Sequence, residues 1–121
     1  MKQSVVLALS IAAIGGGAAA SFADSTPIGA LPRGPVSSID SQRGELVAIA
    51  LPRRGAGRVW RIARPFKASV LRQVGEANVG ASVVLVFRAA GAGDTTVAVA
   101  LTNGDASSNA LESRRFRVHV R

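Results

Sequence analysis

Residues Arg115–Arg121 read R-F-R-V-H-V-R. Polar and apolar side chains alternate through the whole run. Phe116, Val118 and Val120 therefore share one face of an extended chain, and Arg115, Arg117, His119 and Arg121 share the other. A helix would scatter these residues around its circumference. The pattern predicts a half-buried β-strand with a basic outer stripe. That stripe either offers a basic surface to a partner or, were the strand at a sheet edge, discourages pairing with foreign strands.

Working back from this strand, the same period recurs. Thr95–Leu101 alternates, with Val97, Val99 and Leu101 predicted inward. Val83–Arg88 is β-branched and aromatic, and Val83, Leu85 and Phe87 fall on one face. Val59–Ala63 places Trp60 and Ile62 together, and Glu45–Leu51 alternates until Pro52 stops it. Ala68–Val74 is a weaker strand carrying Val70 and Leu71. Between these runs the chain turns at Arg53–Arg58, Gly75–Gly80, Gly91–Asp94 and Asn103–Ser113. Asn103-Gly104 could close a tight hairpin, but Asp105–Ala110 does not resume a strand, so a longer loop is expected. Helical periodicity is absent after Ala23. The expectation is an all-β, immunoglobulin-like antiparallel β-sandwich of about 6–8 short strands.

The N-terminal residues read as an address. Lys2 gives a positive start, Val5–Ala20 is apolar with Gly15-Gly16-Gly17 inside it, and Ser21-Phe22-Ala23 is a small-residue cleavage site. We read 1–23 as a secretory signal peptide, with Ala18-Ala19-Ala20 as a second possible cut. The apolar run is shorter than the roughly 20 residues a membrane span requires, so no transmembrane anchor is expected after processing. Location is then periplasmic or extracellular. Residues 24–35 contain Pro27, Pro32 and Pro35 and read as a flexible N-terminal tail. The domain proper is 36–121.

Composition narrows the function. The 121 residues contain no cysteine, which removes disulfides, thiolate metal sites and cysteine nucleophiles. The one histidine, His119, alternates with inward valines and reads as a solvent-facing side chain. Ser107-Ser108 lack any nucleophile-elbow context. Glycines 55, 57, 91 and 93 precede no Gly-Lys-Ser/Thr and form no phosphate loop. No enzyme, metal or cofactor is expected. The charge is +8, from 15 Lys and Arg against 7 Asp and Glu, and +7 over the 98 residues left after the leader. With no tyrosine and only five aromatics, the chain offers no stacking platform for nucleic acid. Arg53, Arg54 and Arg58 lie on one glycine-flexed loop, where they either grip acidic groups or stand solvated. Trp60, beside Ile62, reads as core.

Several segments resemble the chagasin family, inhibitors of papain-type cysteine peptidases. Gly44-Glu45-Leu46-Val47, Ile49, Leu51-Pro52, Gly57 and Trp60 are similar to that family's opening strands. Phe87-Arg88-Ala89-Ala90-Gly91 is similar to the strand and turn before its penultimate strand. Glu112-Ser113-Arg114-Arg115-Phe116-Arg117-Val118 is similar to its closing strand. The resemblance runs from Gly44 to Arg121. It implies an immunoglobulin-like sandwich whose three loops at one end enter and block a peptidase cleft.

The loops themselves depart from the family. Its first loop reads Asn-Pro-Thr-Thr-Gly. Here Arg53-Arg54-Gly55-Ala56-Gly57, followed by Arg58, keeps only the final glycine. Its second is a glycine-rich run, matched here by Glu76-Ala77-Asn78-Val79-Gly80. Its third carries Arg-Pro-Trp, where this chain has Asn103-Gly104-Asp105 and no nearby aromatic. These residues form the candidate partner-binding set. The implied partner is a papain-like cysteine peptidase. The alternative is a non-inhibitory basic module for an anionic envelope surface or acidic protein.

Overall fold

The computed structural model describes residues 26–121, and the expected signal peptide lies outside the described residues. The described chain is all-β. Seven strands are β1 (Val36–Ser41), β2 (Leu46–Pro52), β3 (Val59–Ile62), β4 (Leu71–Val79), β5 (Ser82–Ala89), β6 (Gly93–Thr102) and β7 (Glu112–Val120). They form two sheets, one ordered β1-β7-β6-β3 and the other β2-β5-β4. The expected sandwich is therefore present.

The alternation read from the sequence sets the inner faces. Val47, Ile49 and Leu51 of β2, Leu85 and Phe87 of β5, Val97, Val99 and Leu101 of β6, and Val118 and Val120 of β7 are all buried in one core. Phe87 is fully buried and meets Phe66 edge-on, with ring centroids 5.6 Å apart. Such perpendicular packing suits the ring quadrupoles.

Three expectations need correction. First, the sheets are not wholly antiparallel: β1 runs parallel to β7, pairing Val36 with Arg115 through Ser41 with Val120. The strand Val-Ser-Ser-Ile-Asp-Ser was not predicted, because its only partly buried apolar residue is Ile39. Its pairing comes from the backbone of β7, not from its own pattern. Second, Glu76-Ala77-Asn78-Val79 is not a loop. These residues belong to β4 and pair with β5, Glu76 against Leu85 and Val79 against Ser82. A register shift between Gln73 and Gly75 absorbs the glycine inside the strand. Only Gly80, at φ 57°, and Ala81 make the turn. Third, β4 begins at Leu71, later than the expected Ala68.

Residues 26–35 carry no strand, as their prolines dictate, but they are bonded along their length. Thr26 N donates to Asp105 O at 3.1 Å, and Gly29 N donates to Ser108 O at 2.9 Å. Arg115 N donates to Pro35 O at 3.0 Å, and Ser113 Oγ donates to Pro32 O at 2.5 Å. At Gly34 the segment lies so close to β7 that a Cβ would sit 1.8 Å from Ser113 O.

Candidate functional site: three loops at one end

Strands β2, β4 and β6 finish at the same end of the sandwich, since Pro52 and Val79 both pair with Ser82 and Thr102 pairs with Val59. The β2–β3 loop (53–58), the β4–β5 turn (80–81) and the β6–β7 loop (103–111) thus emerge together. Two bonds tie them. Arg53 N donates to Ala81 O at 2.8 Å, joining the first loop to the turn. The Arg54 guanidinium grips Glu112, with Nε–Oε2 at 2.8 Å and Nη2–Oε1 at 3.1 Å. That bidentate pair joins the first loop to the foot of the third.

The first loop is held at both ends by one side chain. Trp60 is buried, and its Nε1 donates to Pro52 O at 2.8 Å, so the residues flanking the loop are pinned together. The Arg114 guanidinium lies 5.7 Å from the Trp60 ring centroid, a cation–π distance. Its Nε is buried without a hydrogen-bond partner among the described residues, which makes the ring its chief compensation there. Gly55 (φ 39°) and Gly57 (φ 78°) form the tip on either side of Ala56, and all three are exposed. Arg53 and Arg58 are exposed and make no ion pair among the described residues.

In the third loop, Thr102 Oγ1 donates to Gly104 O at 2.9 Å, and Leu111 N returns to Leu101 O at 2.8 Å. Asn103 and Asp105 are exposed. Glu76 does not join the loop tips. It projects from β4 toward the mouth between the β3 and β4 edges, a cavity of about 610 Å³ that Asp105, Trp60 and Ile28 also line. Desolvation there raises the Glu76 pKa above the usual carboxylate value, and the Asp105 charge raises it further.

The structure thus gathers Arg53–Arg58, Gly80 and Asn103–Asp105 at one end. It leaves Ala77, Asn78 and Val79 paired in β4 behind the turn. Sequence reasoning missed Glu112 and Arg114 as parts of this end. Their position was legible by parity, since both share the inner face with Phe116, Val118 and Val120. Charged residues at inward positions mark where β7 leaves the core. Arg61 was also missed as a loop contact: its Nη1 donates to Ser107 O at 2.7 Å.

His119 lies at the opposite end, exposed as expected, with Nδ1 2.6 Å from Asp94 Oδ1. Among the described residues no cluster of three or more His, Asp or Glu is placed to hold a metal ion.

No protein-family model matches the chain, and no curated protein matches it in sequence. Similar solved structures exist. One is the cysteine protease inhibitor EhICP2 from Entamoeba histolytica, at 13% identity and a TM-score of 0.57, covering 74% of this chain and 99% of that one. Another is PbICP-C in complex with falcipain-2, at 12% identity and a TM-score of 0.55, covering 80% of this chain and 98% of that one. The chain shares the fold of these inhibitors, which is the fold the chagasin resemblance implied. At such identity the likeness speaks to the scaffold alone.

Proposed function

We propose that this protein is an exported, non-enzymatic inhibitor of papain-like cysteine peptidases. The loops at 53–58, 80–81 and 103–111 insert together into the peptidase cleft and block it. The observation that carries the reading is their convergence at one end, cross-tied by the Arg53–Ala81 bond and the Arg54–Glu112 pair. A pre-tied surface loses less conformational entropy on binding than three independent loops. The fold neighbours support the same reading, since EhICP2 is described as a cysteine protease inhibitor and PbICP-C is seen with falcipain-2.

The altered loops set the expected strength. Hot spots are dominated by Trp, Tyr and Arg, and the third loop here has no aromatic residue. Losing such an anchor costs about 2–4 kcal/mol, or roughly 30- to 1,000-fold in affinity. Binding in the micromolar range is therefore expected. The test is inhibition of papain and of a cathepsin-L-like enzyme by the purified mature chain. No inhibition at tens of micromolar would sink the reading for this peptidase class.

A second reading, binding of an anionic surface or acidic protein, draws on exposed Arg53 and Arg58. It is weakened because Arg54, the third arginine of that loop, is engaged by Glu112. Retention on heparin that does not fall steeply with salt would count against it.

A further inference from the structure

We propose that residues 26–35 are a positioning strap that holds the β6–β7 loop in one conformation, with Arg61 as the residue that clamps strap and loop together. The proposal rests on the inhibitor reading for its functional consequence, but its structural half is testable without a peptidase.

Loop 103–111 is polar and glycine-containing. Its own bonds tie its two ends to the strands, and in its middle they are only local and long, Ser107 N to Gly104 O at 3.5 Å and Asn109 N to Ser107 Oγ at 3.2 Å. Its middle is fastened from outside. Asp105 O accepts from Thr26 N at 3.1 Å, and Ser108 O accepts from Gly29 N at 2.9 Å. Ser107 O accepts from Arg61 Nη1 at 2.7 Å. The other arm of the same guanidinium donates to Thr26 O, so one planar fork spans loop and strap. Arg64 grips the strap further along, donating to Ile28 O at 3.2 Å and to Gly29 O at 2.8 Å. Beyond it, the Ser113–Pro32 bond and the Gly34 contact press the strap onto β7.

These bonds replace what the loop lacks. A loop of this length with no anchor in its middle samples many conformers, and only the binding-competent fraction contributes to affinity. Arginine suits the clamp because its fixed fork serves two carbonyls at once, whereas lysine is a single charged point. Arg61 is thus a positioning residue: it need not touch the peptidase to affect binding.

The full mature chain is compared with Arg61→Ala, Arg61→Lys and Gly34→Ala. The last disturbs the strap from a distance, because its Cβ collides with the Ser113 backbone. Amide exchange at Thr26 and Gly29, and heteronuclear relaxation of loop amides 104–110, report strap and loop directly. The wild-type chain should protect Thr26 and Gly29 and show a rigid loop. Each variant should speed exchange at those two amides by roughly 10- to 100-fold and mobilise the loop, while core amides of β5 and β6 stay protected. Arg61→Lys should fall between wild type and Arg61→Ala. Inhibition should weaken in the same order, roughly in proportion to the lost rigid fraction.

Unprotected Thr26 and Gly29 amides in the wild type would overturn the strap. A loop equally rigid in all variants would overturn its positioning role. If the wild type inhibits no peptidase but the relaxation data follow the expected order, the inhibitor reading fails and the strap stands.

Discussion

Replacing Arg54 and Glu112 with alanine, singly and together, measures whether the cross-tie between the first and third loops carries energy. The two N–O contacts are 2.8 and 3.1 Å, and the side chains are 39% and 36% exposed. Unit charges about 4 Å apart attract by roughly 1 kcal/mol in water and roughly 4 kcal/mol at a surface-like dielectric. Holding two long side chains in one geometry, and screening by nearby solvent, remove much of this. The bidentate fork restores part of it, because one orientation satisfies two bonds. The expected coupling from the double-mutant cycle is about 0.5–1.5 kcal/mol at low salt. For a domain of this size that corresponds to a melting shift of roughly 2–12 °C. At 1 M salt, where the screening length is about 3 Å, the coupling should fall by about half. Urea or thermal unfolding of the four proteins supplies the cycle, with Arg58→Ala as a loop control that removes no ion pair. A low-salt coupling below about 0.3 kcal/mol, or one unaffected by salt, would refute the reasoning.

Three further outcomes are expected. Trp60→Phe keeps most of the ring's packing but leaves Pro52 O without its donor, so it should cost about 1–3 kcal/mol in unfolding experiments and weaken inhibition by loosening the first loop. Phe87→Ala, at a fully buried site, should cost about 3–5 kcal/mol and unfold much of the protein at 37 °C, read by thermal melting. Glu76 has a raised pKa, chiefly from desolvation and then from Asp105. The folded state therefore holds its proton more tightly than the unfolded state does. That stabilisation is complete below the unfolded-state value and is lost as pH rises through the raised folded one. Wild type should thus lose stability relative to Glu76→Gln as pH rises over that window, read by unfolding at a series of pH values. Asp105→Asn should remove only the smaller part of that loss.

The inner faces of β3, β5, β6 and β7 were legible because strand alternation is local, and each of those runs carries enough apolar side chains at period two to declare its buried face. Strand β2 was legible as a strand only: it is apolar at every position from Leu46 to Leu51, and packing decided that Val47, Ile49 and Leu51 face inward. Strand β1 was not legible. Val36–Ser41 has little apolar pattern, and its place beside β7 depends on a partner far along the chain. The Glu76–Val79 error has a similar cause. Glycine and asparagine read locally as a turn, but the β5 ladder and a bulge at Gln73/Gly75 extend the strand to Val79. Of the candidate site, the first loop and the Asn103–Asp105 stretch were visible as breaks between strands. Their fastening was not.

The sequence by itself determined the class of fold, because a period of two with turn residues between runs leaves few alternatives. It also determined the basic charge and the absence of cysteine chemistry. Tertiary structure decided everything that depends on distant residues meeting. It set Arg54 against Glu112, Trp60 against Pro52, and Arg61 between Thr26 and Ser107. It also turned a segment with three prolines and two glycines, which read as a loose tail, into one bonded to β7 and the third loop. The physical reason is that hydrogen bonds and ion pairs are satisfied in space. Periodicity reports which way a side chain points, and not what it meets there.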